Sequence, residues 1–505
     1  MKSSKLIFVL SRAIIVALLF RTSNSSNSPS VIIIGAGSAG IATATKLLKN
    51  NVSNFIILEA ENRIGGRVNS VEFGDAIVDL GAEWCHGEKN NVVFEMVKNL
   101  DVLRLRDFSD LILAYYSNRA RINPVLNNKL FGIIDSIYFP SGNKKQDEGI
   151  SLGQYCLKEY NNKVSQLNLT DPLELHFTND YKDFFERYTL SSEGSFSWDD
   201  PSAESDYRDC EGRLDWNWNG RGYKTALDVL MQKFPNTSQP LPIDDKILLN
   251  KEVEKIYWDN RNDTVSVLCK DNTLYNADMV VFTPSLGVLK DRHEKLFVPT
   301  LPEYKKIAIR NLGIGAVMKV MLLFEKSWWP QGSDFNGFMF IWASEDKNGK
   351  LEKFNINGKP WILDLMALLP VEKNPNVLSA WFVGSSVPNI EILNSKNLLD
   401  GLNFALDQFL SHEYNVTKPI SFIRSQWYTN PHFRGTYSYQ TIASRQTKSN
   451  AVIAQPLLNK NGKETVLFAG EATHPIRYST VHGAIETGFR EADSIIKKLN
   501  YIRRK

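Results

Sequence analysis

Val31-Ile-Ile-Ile-Gly-Ala-Gly-Ser-Ala-Gly40 is the stretch that decides the fold. Its first four residues form a continuous β-branched run, the pattern of a parallel strand buried on both faces. Gly35, Gly37 and Gly40 follow in G-x-G-x-x-G spacing with Ala39 between the last two, and Ile41–Leu48, free of Gly and Pro, reads as a helix. In such a turn the first glycine makes the tight bend and the second lets backbone approach a pyrophosphate. The third lets helix and strand pack closely, while the helix N-terminus supplies amides and dipole. A second apolar run, Phe55-Ile-Ile-Leu58, ends at Glu59. A carboxylate there accepts hydrogen bonds from both ribose hydroxyls and repels a 2′-phosphate. Three glycines alone are a weak signal. Strand, glycines, helix, strand and acid in this order define a dinucleotide-binding βαβ unit.

Working outward, Thr264–Cys269 and Met279–Phe282 read as strands around the turn at Asp271-Asn272. Val466–Ala469 is another apolar strand running into Gly470-Glu471, and Gly483–Lys498 has helical composition. Residues 29–105, 236–294 and 421–505 are therefore expected to assemble one dinucleotide domain from separated segments. Residues 106–235, rich in Tyr, Asn and acids, and 295–420, rich in aromatics, are expected to form a second, substrate-facing domain. The expected class is α/β, a Rossmann-like domain built from discontinuous segments with a second α+β substrate-binding domain.

The chain has 505 residues, 43% of them hydrophobic, which suffices for large cores in two or three domains. Its formal net charge of +3, from 59 basic and 56 acidic residues, gives no footprint for nucleic acid. Cys85, Cys156, Cys210 and Cys269 show no metal-ligand spacing, and no H-E-x-x-H occurs, so no metal is expected. Lys2 and Lys5, the apolar runs Leu6–Leu10 and Ala13–Phe20, and polar Arg21–Ser30 describe a signal peptide over residues 1–28. The apolar part is too short for a stable membrane span. Sequons at Asn24, Asn51, Asn168, Asn236, Asn262 and Asn415 agree with a secreted protein or one in the secretory lumen. In an oxidising compartment Cys156–Cys210 is the first disulfide to test.

Glu59-Ala-Glu-Asn-Arg-Ile-Gly-Gly-Arg67 places a glycine pair between two arginines, which resembles the flavin amine oxidase signature following the βαβ unit. The resemblance covers essentially everything after residue 30. Asp79-Leu-Gly-Ala-Glu-Trp-Cys-His-Gly87 is similar to the segment beside the flavin ring, Asn250–Val253 to the strand that holds adenine, and Thr283–Leu289 to the return into the cofactor domain. Gly470–His474 and Tyr478–Ala484 resemble the C-terminal flavin segment. The resemblance implies non-covalent FAD, since the last cysteine is Cys269 and no cysteine follows near the C-terminal flavin segment. It implies cofactor contacts from Gly35, Gly37, Ala39, Gly40, Glu59, Arg67, Glu83, Trp84, Val253, Glu471, Thr480 and Val481.

It also implies the chemistry. Lys319, alone in the apolar strand Val317–Phe324, matches a lysine that binds flavin N5 through water. His86, in Trp84-Cys-His-Gly87, matches a substrate-channel histidine of animal polyamine oxidases. Ser425–Tyr439 and residues 470–483 resemble the spermine and N-acetylpolyamine oxidase subgroup. The expected reaction is hydride transfer from a polyamine to FAD, with O2 reoxidation giving H2O2 and an aminoaldehyde. The acidic stretch Glu193–Asp215 reads equally as a channel entrance for a polycation or as a solvated loop. Two alternatives stand beside this reading: a secreted L-amino acid oxidase, with Arg221 or Arg434 taking the carboxylate, and an inactive flavin-fold binding protein.

Overall fold

The computed structural model describes residues 30–106, 112–139, 149–260, 262–332, 335–347 and 349–503. The leader at 1–28 and the Asn24 sequon lie outside the described residues. The apolar strand Val31–Ile34 pairs in parallel with Phe55–Leu58 on one side and Met279–Phe282 on the other. Met279–Phe282 pairs in turn with Glu464–Phe468, and Phe55–Leu58 with the short Ile247–Leu248. An antiparallel edge strand, Leu457–Leu458, completes six. This is the discontinuous Rossmann-like sheet, drawn from three distant parts of the chain.

Alternation along the strands sorts its two faces. Val31, Ile33, Ile57, Val281 and Leu467 pack under the helices Ser38–Lys49 and Val481–Arg503. Ile32, Ile34, Val280, Phe282 and Phe468 face a four-stranded sheet, in which Val265–Cys269 pairs with Leu274–Ala277 and Val253–Tyr257. The turn at Asp271-Asn272 therefore closes a hairpin within that small sheet, and Met279–Phe282 leaves it for the parallel one. A buried sheet needs apolar residues on both faces, and these strands have them.

The second sheet runs Ser421–Arg424, Met318–Leu323, Asn374–Phe382, Leu365–Val371, Gly337–Ile341 and Ile112–Tyr116. Its pairs are antiparallel except the last. One face carries the helix Ser395–Leu410, and the other carries Pro124–Tyr138, Leu152–Ser165 and Pro172–Glu193. Chain order and packing part company three times. The strand Phe297–Val298 pairs with Val253–Tyr257, and Leu301, Ala308 and Ile309 pack in the same core, so the start of the 295–420 segment belongs to the dinucleotide domain. The helix Lys224–Leu230 packs in the dinucleotide core, because Ala226, Leu227 and Leu230 face the helix Ser38–Lys49 side. The strand Ser421–Arg424 joins the second sheet beside Met318–Leu323.

The Cys156–Cys210 bridge does not form. Cys156 is buried among the helices near Tyr160 and Phe185, Cys210 lies beside His482, and all four cysteines are free thiols. No helix among the described residues is long and apolar enough to cross a membrane.

Lys305, on the helix Glu303–Asn311, is buried with its Nζ donating to the Val452 and Ile453 carbonyls at 3.1 and 2.8 Å, over the Phe468 ring. Burial pushes its pKa down to about 7. The unfolded chain keeps this amine protonated to a pH of roughly 10, so between those values the unfolded state binds more protons and stability rises with pH. Below pH 7 the folded state carries a buried charge. Lys305→Met should therefore stabilise the protein most in acid. The gain should shrink toward pH 10 by up to about 1.4 kcal/mol per pH unit, read by urea unfolding at each pH.

Candidate active site

One cavity of about 1820 Å³ runs from the glycine-rich loops, across a face of the second sheet, to the helices Pro124–Tyr138 and Pro172–Glu193. It exceeds the few hundred to a thousand Å³ of a single small-ligand pocket, which suits an extended cofactor plus a substrate. Gly35, Gly37, Ala39, Glu59, Arg67, Glu83, Trp84, His86, Val253, Lys319, Glu471, Thr480 and Val481 all line it. Gly40 does not. A Cβ there would sit 2.0 Å from the Gly35 carbonyl, so its absence lets the helix lie against the strand.

The glycine end fits a dinucleotide. The helix Ser38–Lys49 begins at Gly37 with no side chain capping it and no acid in its first turn, which leaves its first amides for an anion. Gly65 and Gly66 adopt φ of +101° and +60°, and a Cβ on Gly66 would meet Gly37 Cα at 3.1 Å. Two glycine loops thus press together and present bare backbone. Glu59 is buried, with its two oxygens accepting from Ala36 N at 2.6 Å and Glu61 N at 2.8 Å. Burial raises its pKa, opposed by those two amides. It is held rigidly at the strand end, with further lone pairs for a ribose. Glu59→Gln should weaken FAD binding about 10- to 100-fold, measured by flavin fluorescence on titrating the apoprotein.

Arg67 and Glu471 are brought together. Arg67 Nη1 donates to Glu471 Oε1 at 3.0 Å and to the Thr436 carbonyl at 2.5 Å. Glu471 Oε2 accepts from Ser438 Oγ and Ser479 N. This pair ties the second glycine loop, at Gly65-Gly66, to the C-terminal segment across the cavity wall. Thr480 Oγ1 accepts from Gly483 N at 3.0 Å and so caps the start of Val481–Arg503, placing a second helix N-terminus at the cavity.

Lys319 lies deeper. The strand Met318–Leu323 turns Met318, Val320 and Leu322 into the core and Lys319 to the cavity. Its Nζ donates to the carbonyls of Asp79 and Gly81 at 3.1 and 2.9 Å and to Glu83 Oε2 at 2.5 Å. The Trp84 and Trp381 rings stack on one another at 5.4 Å, with Nζ 5.6 and 4.6 Å from their centres. His86 Nδ1 lies 2.7 Å from the Leu214 carbonyl. A carbonyl only accepts, so Nδ1 carries the proton, and the neutral ring keeps its lone pair on Nε2. His482, buried beside Cys210, is held uncharged, its pKa lowered to about 3 by burial.

Beyond His86 the walls become aromatic and acidic, with Tyr138, Phe184, Tyr188 and Tyr437 alongside Glu193 and Asp209. Glu193 accepts from the Tyr138 hydroxyl at 2.6 Å, and burial raises the pKa of both acids. Trp381, Glu193 and Asp209 line the cavity without belonging to any of the motifs. Trp381 sits opposite Lys319 only through strand register, and the Glu193–Asp215 stretch is too irregular for periodicity to say which acids face inward. Glu204, Asp206 and Asp215 also line the cavity, while Asp199, Asp200 and Glu211 do not. None of the four cysteines lines it. Away from the cavity, His176, Asp180 and Glu345 gather ligand-type atoms, but Asp180 already accepts from Tyr116 and Ser344, and His176 Nε2 donates to the Glu345 carboxylate. They form a polar network.

This arrangement has counterparts. The family described as flavin containing amine oxidoreductase matches residues 38–496. The chain belongs to that family, and it is an FAD-dependent amine oxidoreductase. Among relatives, it is 27% identical to the probable polyamine oxidase 5 of Arabidopsis thaliana, over 92% of this chain and 98% of that one. It is also 27% identical to the human peroxisomal N(1)-acetyl-spermine/spermidine oxidase, over 93% and 95%. Wild-type putrescine oxidase bound to putrescine superposes with a TM-score of 0.62 at 17% identity, covering 93% of this chain and 99% of that one. That likeness shows the fold. The glycine loops, Glu59 and the two helix N-termini are the residues that would hold FAD.

Proposed function

We propose that the protein oxidises polyamines such as spermine, spermidine or their N-acetyl forms, with O2 as the final acceptor. The observation that carries this reading is the continuity of one cavity from the FAD-holding loops, past Lys319 and His86, to an aromatic channel bearing Glu193 and Asp209. The names of the relatives point to the same substrates.

An amine gives up hydride only when its nitrogen is uncharged, yet an alkylammonium with a pKa of roughly 10 is neutral about once in a thousand molecules at pH 7. The aromatic walls disfavour the charged form. His86 Nε2, with its lone pair exposed by the Leu214 hydrogen bond, accepts the proton from the entering nitrogen. Glu193 and Asp209 hold the remote ammonium groups and so set which carbon reaches the flavin. Bound FAD supplies the hydride acceptor. Lys319 organises the water used to hydrolyse the imine and assists reoxidation. Amine, O2 and water thus become an aminoaldehyde, a shortened amine and H2O2.

The amino acid oxidase alternative loses support, because both cations it relied on lie outside the cavity lining. Arg221 sits over Phe234, and Arg434 faces Asp291. A peroxide assay with spermine, N-acetylspermine and leucine separates the readings, and oxidation of leucine alone would overturn this one. Glu193→Gln should raise KM for spermine about tenfold and leave a simple alkylmonoamine within about twofold, since only the polycation uses a remote carboxylate.

The leader at 1–28 and the sequons support a glycosylated protein of the secretory pathway. Asn51, Asn236 and Asn262 are exposed, as a glycan acceptor must be. Secretion of the full chain from eukaryotic cells, with a mass shift on glycosidase treatment, tests this proposal.

A further inference from the structure

All three hydrogens of the Lys319 ammonium are committed, to the carbonyls of Asp79 and Gly81 and to Glu83 Oε2. The two side chains are only 6% and 14% exposed. Of the three acceptors, Glu83 alone carries charge. Asp79 is a poor substitute: its carboxylate is turned to the Ser70 hydroxyl and the Tyr223 amide, and burial lifts its pKa to about 7. The other charged group facing the pair is the Arg106 guanidinium, which donates to the Pro370 carbonyl and lies near the Glu83 charge. Glu83 also precedes Trp84, whose ring stacks on Trp381 over the ammonium.

We infer that Glu83 is a positioning residue, whose carboxylate keeps the Lys319 amine protonated and stationary against the flavin-facing wall. The inference rests on the role given to Lys319 above and extends it. With three donors spent, the ammonium cannot also bind a water unless one acceptor shares it. The free lone pairs of Glu83 are then the polar atoms through which a water would be held beside Lys319. Without the carboxylate, burial among indole rings favours the neutral amine, and the cation disappears as pH rises.

Glu83→Gln keeps the shape and an acceptor oxygen but removes the charge. In the FAD-loaded variant the visible flavin spectrum should show a pH transition at least about one unit below any seen in the wild type, because the amine now titrates in the accessible range. Lys319→Met should lack that transition. A titration of Glu83→Gln that superimposes on the wild type overturns the inference. The second measurement is thermal melting: removing both halves of a buried ion pair is milder than stranding one. The double variant Glu83→Gln/Lys319→Met should melt above Glu83→Gln alone, and melting lower by the sum of the single losses overturns the inference. If Glu83→Gln loses FAD, a yellow double variant supports the inference and a colourless one overturns it. Failure of the underlying reading looks different. Normal turnover by Lys319→Met removes the lysine from the chemistry while leaving the coupling between the two side chains measurable.

Discussion

Lys319→Met is expected to lower turnover with spermine by about a hundredfold or more, equivalent to roughly 2.7 kcal/mol of lost transition-state stabilisation, while the purified protein stays yellow. Methionine fills the apolar stem of the lysine and keeps the strand pairing with Trp381, whose backbone register does not depend on the ammonium. What disappears is the cation held between Asp79, Gly81 and Glu83. FAD retention is predicted from placement. The glycine loops, Glu59 and the capped helix at Val481 belong to the other sheet, and none makes a hydrogen bond to Lys319 Nζ. Anaerobic reduction by spermine and reoxidation by O2, followed separately, locate the lost step. A variant with unchanged rates in both halves would exclude Lys319 from catalysis.

Gly40→Ala should be more damaging still to the cofactor. The added methyl would lie 2.0 Å from the Gly35 carbonyl oxygen and 3.3 Å from Ile33 Cγ2. Neither backbone can retreat cheaply, since Gly35 N is bonded to the Leu58 carbonyl and Ile33 pairs on both sides. The helix Ser38–Lys49 must therefore lift from the sheet and take its N-terminal amides with it. Overpacking of this kind costs about 3 kcal/mol, and FAD affinity should fall by about a hundredfold or more. A lower melting temperature together with colourless protein is the expected result. Full FAD occupancy at micromolar concentration would contradict it.

The cofactor half of the site was legible in the sequence because its chemistry is local. Gly35, Gly37 and Gly40 act through backbone geometry and Glu59 through a carboxylate at the end of the next strand, all within one βαβ unit, and such a unit leaves a fixed spacing in the chain. Lys319 was legible for a different reason: a charge in an apolar strand is costly unless it has work or a partner. Its partners were not legible. Glu83, Trp381 and the Asp79 and Gly81 carbonyls reach it across more than fifty residues in either direction, through strand register and an irregular loop that carry no periodic signal. The acids show the same limit. Charge density marked Glu193–Asp215 as a group, yet which members face the cavity depends on how a loop without repeating structure folds back. The disulfide expectation failed because two buried cysteines were matched by compartment chemistry, whereas Cys156 packs in the helical core and Cys210 lies against Asn90 and His482.

The order of strands in the parallel sheet has a consequence for biogenesis. Met279–Phe282 and Glu464–Phe468 must both arrive before the sheet around Val31–Ile34 is complete. The nucleotide cradle is thus begun at Val31–Leu58 but closed only by Glu464–Phe468, more than four hundred residues further along the chain, and such distant pairings form slowly. FAD should therefore load only once Glu464–Phe468 has joined the sheet, and a chain stopped before residue 464 should emerge as an apoprotein that chaperones retain.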